Sequence, residues 1–124
     1  KSNMDSGMFF GIQKGAVEAF KLSNDWFKAQ NEIYKRRRAL VWQIFDALDC
    51  TYNKNIGGLF VWAKIPSHMD STALTDQILY NHDVFITPGT VFGSQGEGFI
   101  RFSLCVDESK IKEVLNRLKK SEIL

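Results

Sequence analysis

The sequence predicts an α+β fold: a small, mainly antiparallel sheet of three to four strands with helices on one face, preceded by a long bridging helix. Three observations predict it. An apolar stripe at helical spacing runs from Trp26 to Leu48, over about six turns. Three short segments, 59–65, 84–87 and 98–106, are β-branched or aromatic and are bounded by Pro66, by Pro88 with Gly89, and by Asp107. In the last of them Ile100, Phe102, Leu104 and Val106 alternate with Phe99, Arg101, Ser103 and Cys105, so only one face is apolar and helices can cover only that side.

The elements follow in order. Residues 5–22 place Met8, Phe9, Ile12, Ala16, Ala19 and Phe20 at helical spacing, with Asp5 or Ser6 as the N-cap. Ser23, Asn24 and Asp25 then restart the pattern, and a helix over 24–49 would be near 25 residues and roughly 37 Å long. After Cys50, TYNKN offers a short strand or turn and Gly57-Gly58 a flexible joint. The strand LFVWAKI directs Leu59, Val61, Ala63 and Ile65 to the helices and leaves Phe60, Trp62 and Lys64 on the side of Arg101. SHMDS supplies a loop and cap for a short helix over 73–80, VFIT at 84–87 is the next strand, and GTVFGSQGEG is a glycine-rich loop. Asp107 caps a last helix with Ile111, Val114, Leu115 and Leu118 on one face. A sheet face bearing Phe60, Trp62, Phe99 and a central arginine is a poor surface to show to water, so something is expected to lie against it.

At 124 residues, with 44% hydrophobic and 24% charged residues, the chain suits one soluble domain with a real core. A net charge of +2 gives no footing for nucleic acid or a membrane surface, and no apolar run is long enough for a membrane span. A cytoplasmic location is expected. Cys50 and Cys105 read as two buried free thiols, since neither has the spacing of a metal or redox motif.

Few residues invite chemistry. The run Lys35 to Arg38 falls inside the long helix, where successive positions turn by about 100°, and reads as a solvated face. His68 and His82 lack the convergent partners of a metal site and read as exposed histidines; no metal is expected. The glycine-rich loop precedes a strand and lacks the spacing of a phosphate loop, but it suits a flexible rim around a ligand. Arg101 remains. It is either half of a structural ion pair or a fixed guanidinium that accepts a carboxylate through its planar fork, and the pattern leaves both open.

Taken together, GGLFVWAKIP and VFITPGTVFGSQGEGFIRFSLCVDESKIKEVLNRL resemble the C-terminal portion of a pyridoxal-phosphate-dependent aminotransferase of the aspartate aminotransferase superfamily, class I/II, fold type I. The resemblance falls on Gly57, Gly58, Phe60 and Trp62, on Val84, Pro88 and Gly89, on Phe92 and Gly93, and on Gly98, Arg101 and Ser103. KSNMDSGMFFGIQKGA and NEIYKRRRAL extend it upstream, with Ala39 where the family has an acid. It implies that Arg101 binds the α-carboxylate of an amino-acid substrate and that Phe92 stands at the pocket rim.

The same resemblance implies that residues 1–22 are a remnant of the large domain and that 23–124 form the small C-terminal domain with its bridging helix at 24–49. The family's Schiff-base lysine lies in a Ser-x-x-Lys context followed by Gly-x-Arg, and none of the eleven lysines here sits in that context. No catalytic or cofactor-binding residue is therefore expected in this chain, and none of its residues is expected to hold pyridoxal 5'-phosphate by itself. The implied partners are a missing N-terminal large domain, a second copy in a homodimer, and an amino acid with its 2-oxo acid. The alternative is a non-catalytic α+β module that binds a small molecule or regulates another protein.

Overall fold

In a computed structural model, residues 8–119 are described, and the chain divides into two compact units, Lys1–Glu32 and Ile33–Leu124. Helix α1 spans Phe10–Ala19, shorter than the helix expected over 5–22, and the cap candidates Asp5 and Ser6 lie outside the described residues. Helix α2 (Asn24–Ala47) begins where Ser23 predicts, with the Ser23 hydroxyl and carbonyl both accepting from the Trp26 N–H. It stops two residues before the expected Asp49, where the chain turns through a left-handed residue, Asp49, at φ 49°. Strand β1 is Thr51–Tyr52, β2 Phe60–Lys64, β3 Thr87–Pro88 and β4 Phe99–Ser103, with helix α3 at Ser71–His82 and helix α4 at Glu108–Lys119.

The first unit buries little. No residue of α1 is buried, and Phe9, Phe10, Ile12, Phe20, Trp26 and Phe27 are all exposed, Phe20 by 90%. The stripe expected to be a core face is thus exposed within this unit among the described residues.

In the second unit the four strands form one antiparallel sheet in the order β1-β2-β4-β3. Trp62 stands opposite Arg101, and Thr87 flanks Arg101 from the other side. Val61, Ala63, Ile65, Ile100, Phe102 and Leu104 point to the core, where Val41, Ile44, Phe45 and Leu48 of α2 and the segment after it, Leu74 and Ile78 of α3, and Ile111, Leu115 and Leu118 of α4 meet them. Each of these larger side chains, taken from water, stabilises the fold by about 1.5–3 kcal/mol.

Three strand-level expectations need correction. Leu59 is 43% exposed because pairing with β4 begins only at Phe60. The strand expected at 84–87 shrinks to Thr87–Pro88; Val84 and Ile86 are buried in the core as irregular chain. Pro88 sits within the strand it was expected to end, which is tolerable because β3 is a sheet edge and the missing N–H breaks no ladder in the interior.

Three side-chain expectations also change. Cys50 is buried but Cys105 is exposed, beyond the end of β4. His82 is half-buried, at the end of α3, where its carbonyl and that of Asp83 accept from Arg117. The basic run is a solvated face only in part: Lys35 and Arg36 are exposed, Arg36 pairing with Glu108 at 3.0 Å, whereas Arg37 and Arg38 are half-buried, Arg37 donating to the Leu104 carbonyl and to Asp107 and Arg38 to the Gly58 carbonyl. Periodicity places these side chains around a helix but says nothing of the carbonyls left free where β4 ends and the glycine pair turns.

Candidate functional site

Arg101 stands at the middle of β4 on the face turned away from the helices, as the alternation predicts. Its guanidinium carbon is 3.9 Å from the centroid of the Phe92 ring, 4.2 Å from that of Phe60 and 6.0 Å from that of Trp62. Such contacts place a cation against the negative faces of aromatic rings and hold it there. The rings carry no charge, so they leave the guanidinium's own charge unneutralised. Among the described residues no carboxylate forms an ion pair with Arg101. The structural ion pair left open by the sequence is thus not formed there.

Beside the arginine opens a pocket of about 360 Å³ lined by Trp62, Phe92, Gln95, Gly96 and Phe99. Arg101 is not in this wall, but it touches Trp62 and Phe92, which are. Trp62 packs edge-on against Phe92 at 5.3 Å between centroids. A second groove of about 540 Å³ continues from Trp62 and Phe99 to Lys64, Tyr52 and Lys54. Phe92 is one of the residues that line the first of these pockets.

The loop that carries Phe92 has more order than its glycines suggest. It folds as two 3-10 turns, Gly89–Phe92 and Ser94–Gly96. Gly89 and Gly96 lie backbone to backbone, so closely that a Cβ on either would collide with the carbonyl of the other. Glu97 then ties the end of the loop to helix α3. One carboxylate oxygen accepts from the N–H of Ser71 at 2.9 Å and of Gly98 at 2.8 Å, and the other from the Ser71 hydroxyl at 3.0 Å.

These bonds complete the start of α3. Asp70 accepts from the N–H groups of Thr72 and Ala73, and Glu97 takes the one that Asp70 does not reach. The backbone N–H of Ser71, then that of Gly98, hold the Glu97 carboxyl below its ordinary value of 4.5. Ser71 is fully buried, so this junction is sealed from the side of the helix.

Glu97, Gln95 and the Gly89–Gly96 contact were missed from sequence. The density of glycine in the loop was the one signal available, since two glycines seven residues apart mark a place where two backbones can touch. No cluster of three metal-ligating side chains exists among the described residues. The wall of the first pocket, Trp62, Phe92, Gln95, Gly96 and Phe99, includes no lysine. No described helix is long and apolar enough to cross a membrane.

Comparison with known proteins matches this α+β architecture, four helices and a four-stranded antiparallel sheet among the described residues, to that of aminotransferases. The chain belongs to the family of class I and II aminotransferases, whose model matches residues 7–118. Members of the family depend on pyridoxal 5'-phosphate. The LL-diaminopimelate aminotransferase of Halothermothrix orenii is 37% identical over 123 residues, which are 99% of this chain and 32% of that protein. Substrate-bound BacF from Bacillus subtilis superimposes with a TM-score of 0.75 at 30% identity, covering 94% of this chain and 30% of the other. The aromatic aminotransferase of Pyrococcus horikoshii gives 0.74 at 27% identity, covering 91% and 32%. The chain thus spans about a third of the length of the curated relatives it matches. A stand-alone, non-catalytic module is not favoured by this membership.

Proposed function

We propose that the chain is the C-terminal, substrate-binding part of a pyridoxal-phosphate-dependent aminotransferase, in which Arg101 grips the α-carboxylate of the amino acid and of the 2-oxo acid that replaces it. The observation that carries the reading is the state of Arg101: fixed at mid-strand, flanked by aromatic rings, and without an acidic partner among the described residues. A planar fork suits a carboxylate better than any other common anion of that size. Mounting it on a paired strand, rather than on a loop, holds it to the tolerance that substrate alignment requires.

On this reading, residues 1–22 belong with the large domain and 23–124 with the small domain. The large domain brings the cofactor, and a second copy completes a homodimer in the cytoplasm. The exposed apolar side chains of the first unit support the assignment, because an apolar face of that kind suits burial against another surface. In this division of labour the residues of this chain bind and orient the substrate, and the rest of the protein supplies the reactive group.

The test is Arg101→Ala in the whole protein. Loss of a desolvated carboxylate partner should weaken both substrates by about 2–5 kcal/mol, seen as a large rise in both KM values. Unchanged KM values for the amino acid and the oxo acid would remove Arg101 from the site.

A further inference from the structure

We propose that Glu97 is a positioning residue for carboxylate binding: by tying the Phe92 loop to the start of α3, it sets the aromatic wall against which Arg101 is aimed. The inference rests on the reading of Arg101 given above. It goes further in assigning a role to a side chain that touches neither the guanidinium nor the pocket wall.

The chain of contacts is continuous. Glu97 grips Ser71, which is fully buried, and the adjoining Gly98 N–H, so one end of the loop is fixed to a rigid helix. The next residue back, Gly96, is in backbone contact with Gly89, which fixes the other end of the loop to the first. The 3-10 turn that begins at Gly89 ends at Phe92, and that ring lies 3.9 Å from the guanidinium of Arg101. Gly98, gripped by Glu97, also accepts from the Ile65 N–H through its carbonyl, which anchors the same point to β2. Phe92 itself is half exposed and makes its ring contacts with Trp62 and Arg101, so its position depends on the loop that carries it.

Glu97 is suited to this by chemistry as well as by place. A carboxylate has two oxygens, each able to accept more than one bond, and here it serves three donors at once. It also sits at the positive end of α3, where negative charge is favoured. Glutamine could reproduce the geometry: its carbonyl would accept from both N–H groups while its amide donates to the Ser71 hydroxyl. Alanine could reproduce none of it.

The experiment compares Glu97→Ala, Glu97→Gln and Arg101→Ala in the whole protein. It uses steady-state kinetics, with common amino acids and LL-diaminopimelate as donors, and hydrogen exchange over residues 89–98. Glu97→Ala should raise KM for both substrates about tenfold, the scale on which small misplacements are felt, while kcat stays within about threefold. Exchange in 89–98 should quicken in the same variant. Glu97→Gln should restore both KM and protection. If Glu97→Ala does not fold, Glu97→Asp, one methylene too short to span Ser71 and Gly98 together, should show the same rise. A KM unchanged in Glu97→Ala or Glu97→Asp while Arg101→Ala loses binding would overturn the role of Glu97 and leave that of Arg101 intact. A normal KM in Arg101→Ala would instead overturn the carboxylate reading, and the role of Glu97 with it.

Discussion

The guanidinium of Arg101 lies 3.9 Å from the centroid of Phe92, a residue reached through a loop rather than through the sheet that holds the arginine. The two converge from different elements. One is fixed by strand pairing to Trp62 and Thr87, the other by the folding of two short turns. The ring lies over the cation and shields that side of it from water.

Phe92→Leu keeps an apolar rim but removes the quadrupole. A cation–π contact at a partly exposed site contributes about 0.5–2 kcal/mol, so KM for the carboxylate substrates should rise by about twofold to thirtyfold. Phe92→Tyr should stay near the parent. Steady-state kinetics on the whole protein checks both, and equal KM values in Leu and parent would show that the ring only fills space.

The Gly89–Gly96 contact makes a second prediction. Alanine at either position needs the facing backbone to withdraw, and overpacking of that kind costs about 1–3 kcal/mol. Denaturant unfolding should therefore show both Gly89→Ala and Gly96→Ala destabilised. Gly57→Ala, whose added methyl would meet open space, should be close to neutral. Equal stability of all three would mean the loop can open at no cost.

The two thiols should differ sharply. Burial, then the nearby Asp49 charge, push the Cys50 thiol up to about 12, and only the thiolate is a competent nucleophile. Cys105 is exposed. An aromatic disulfide reagent at neutral pH should modify Cys105 quickly and Cys50 only on unfolding; two rapid equivalents in the native protein would contradict the packing of Cys50 between α2 and β1.

Much of the fold and the centre of the site were legible because period decides them. Two-residue alternation along β4 sends Ile100 and Phe102 inward and Arg101 outward whatever the rest of the chain does. Helical spacing in α4 likewise finds Ile111, Leu115 and Leu118 in the core. What failed was set by contacts between distant segments. Arg37 looked solvated until the end of β4 brought the Leu104 carbonyl to it, 67 residues along the chain. Glu97 looked like a polar loop residue until the buried start of α3 presented Ser71, and the stripe of α1 has the period of a core helix although none of its residues is buried.

The strap formed by Glu97 also carries a sign with pH. Its carboxyl is lowered in the folded chain, chiefly by the Ser71 N–H and then by that of Gly98, so the charged form is the one the fold favours. The folded state binds this proton less readily than the unfolded state does. The stabilising contribution is therefore complete above the unfolded value of 4.5 and disappears as the pH falls through the lower folded value. Glu97→Gln has no such dependence. Measured by denaturant unfolding from neutral to acidic pH, the stability difference between parent and Glu97→Gln should hold steady at neutral pH and shrink below about 4.5, moving in favour of the glutamine variant. A difference that stays constant across the acid range would show that the Glu97 carboxylate is not bound to Ser71 and Gly98 in solution.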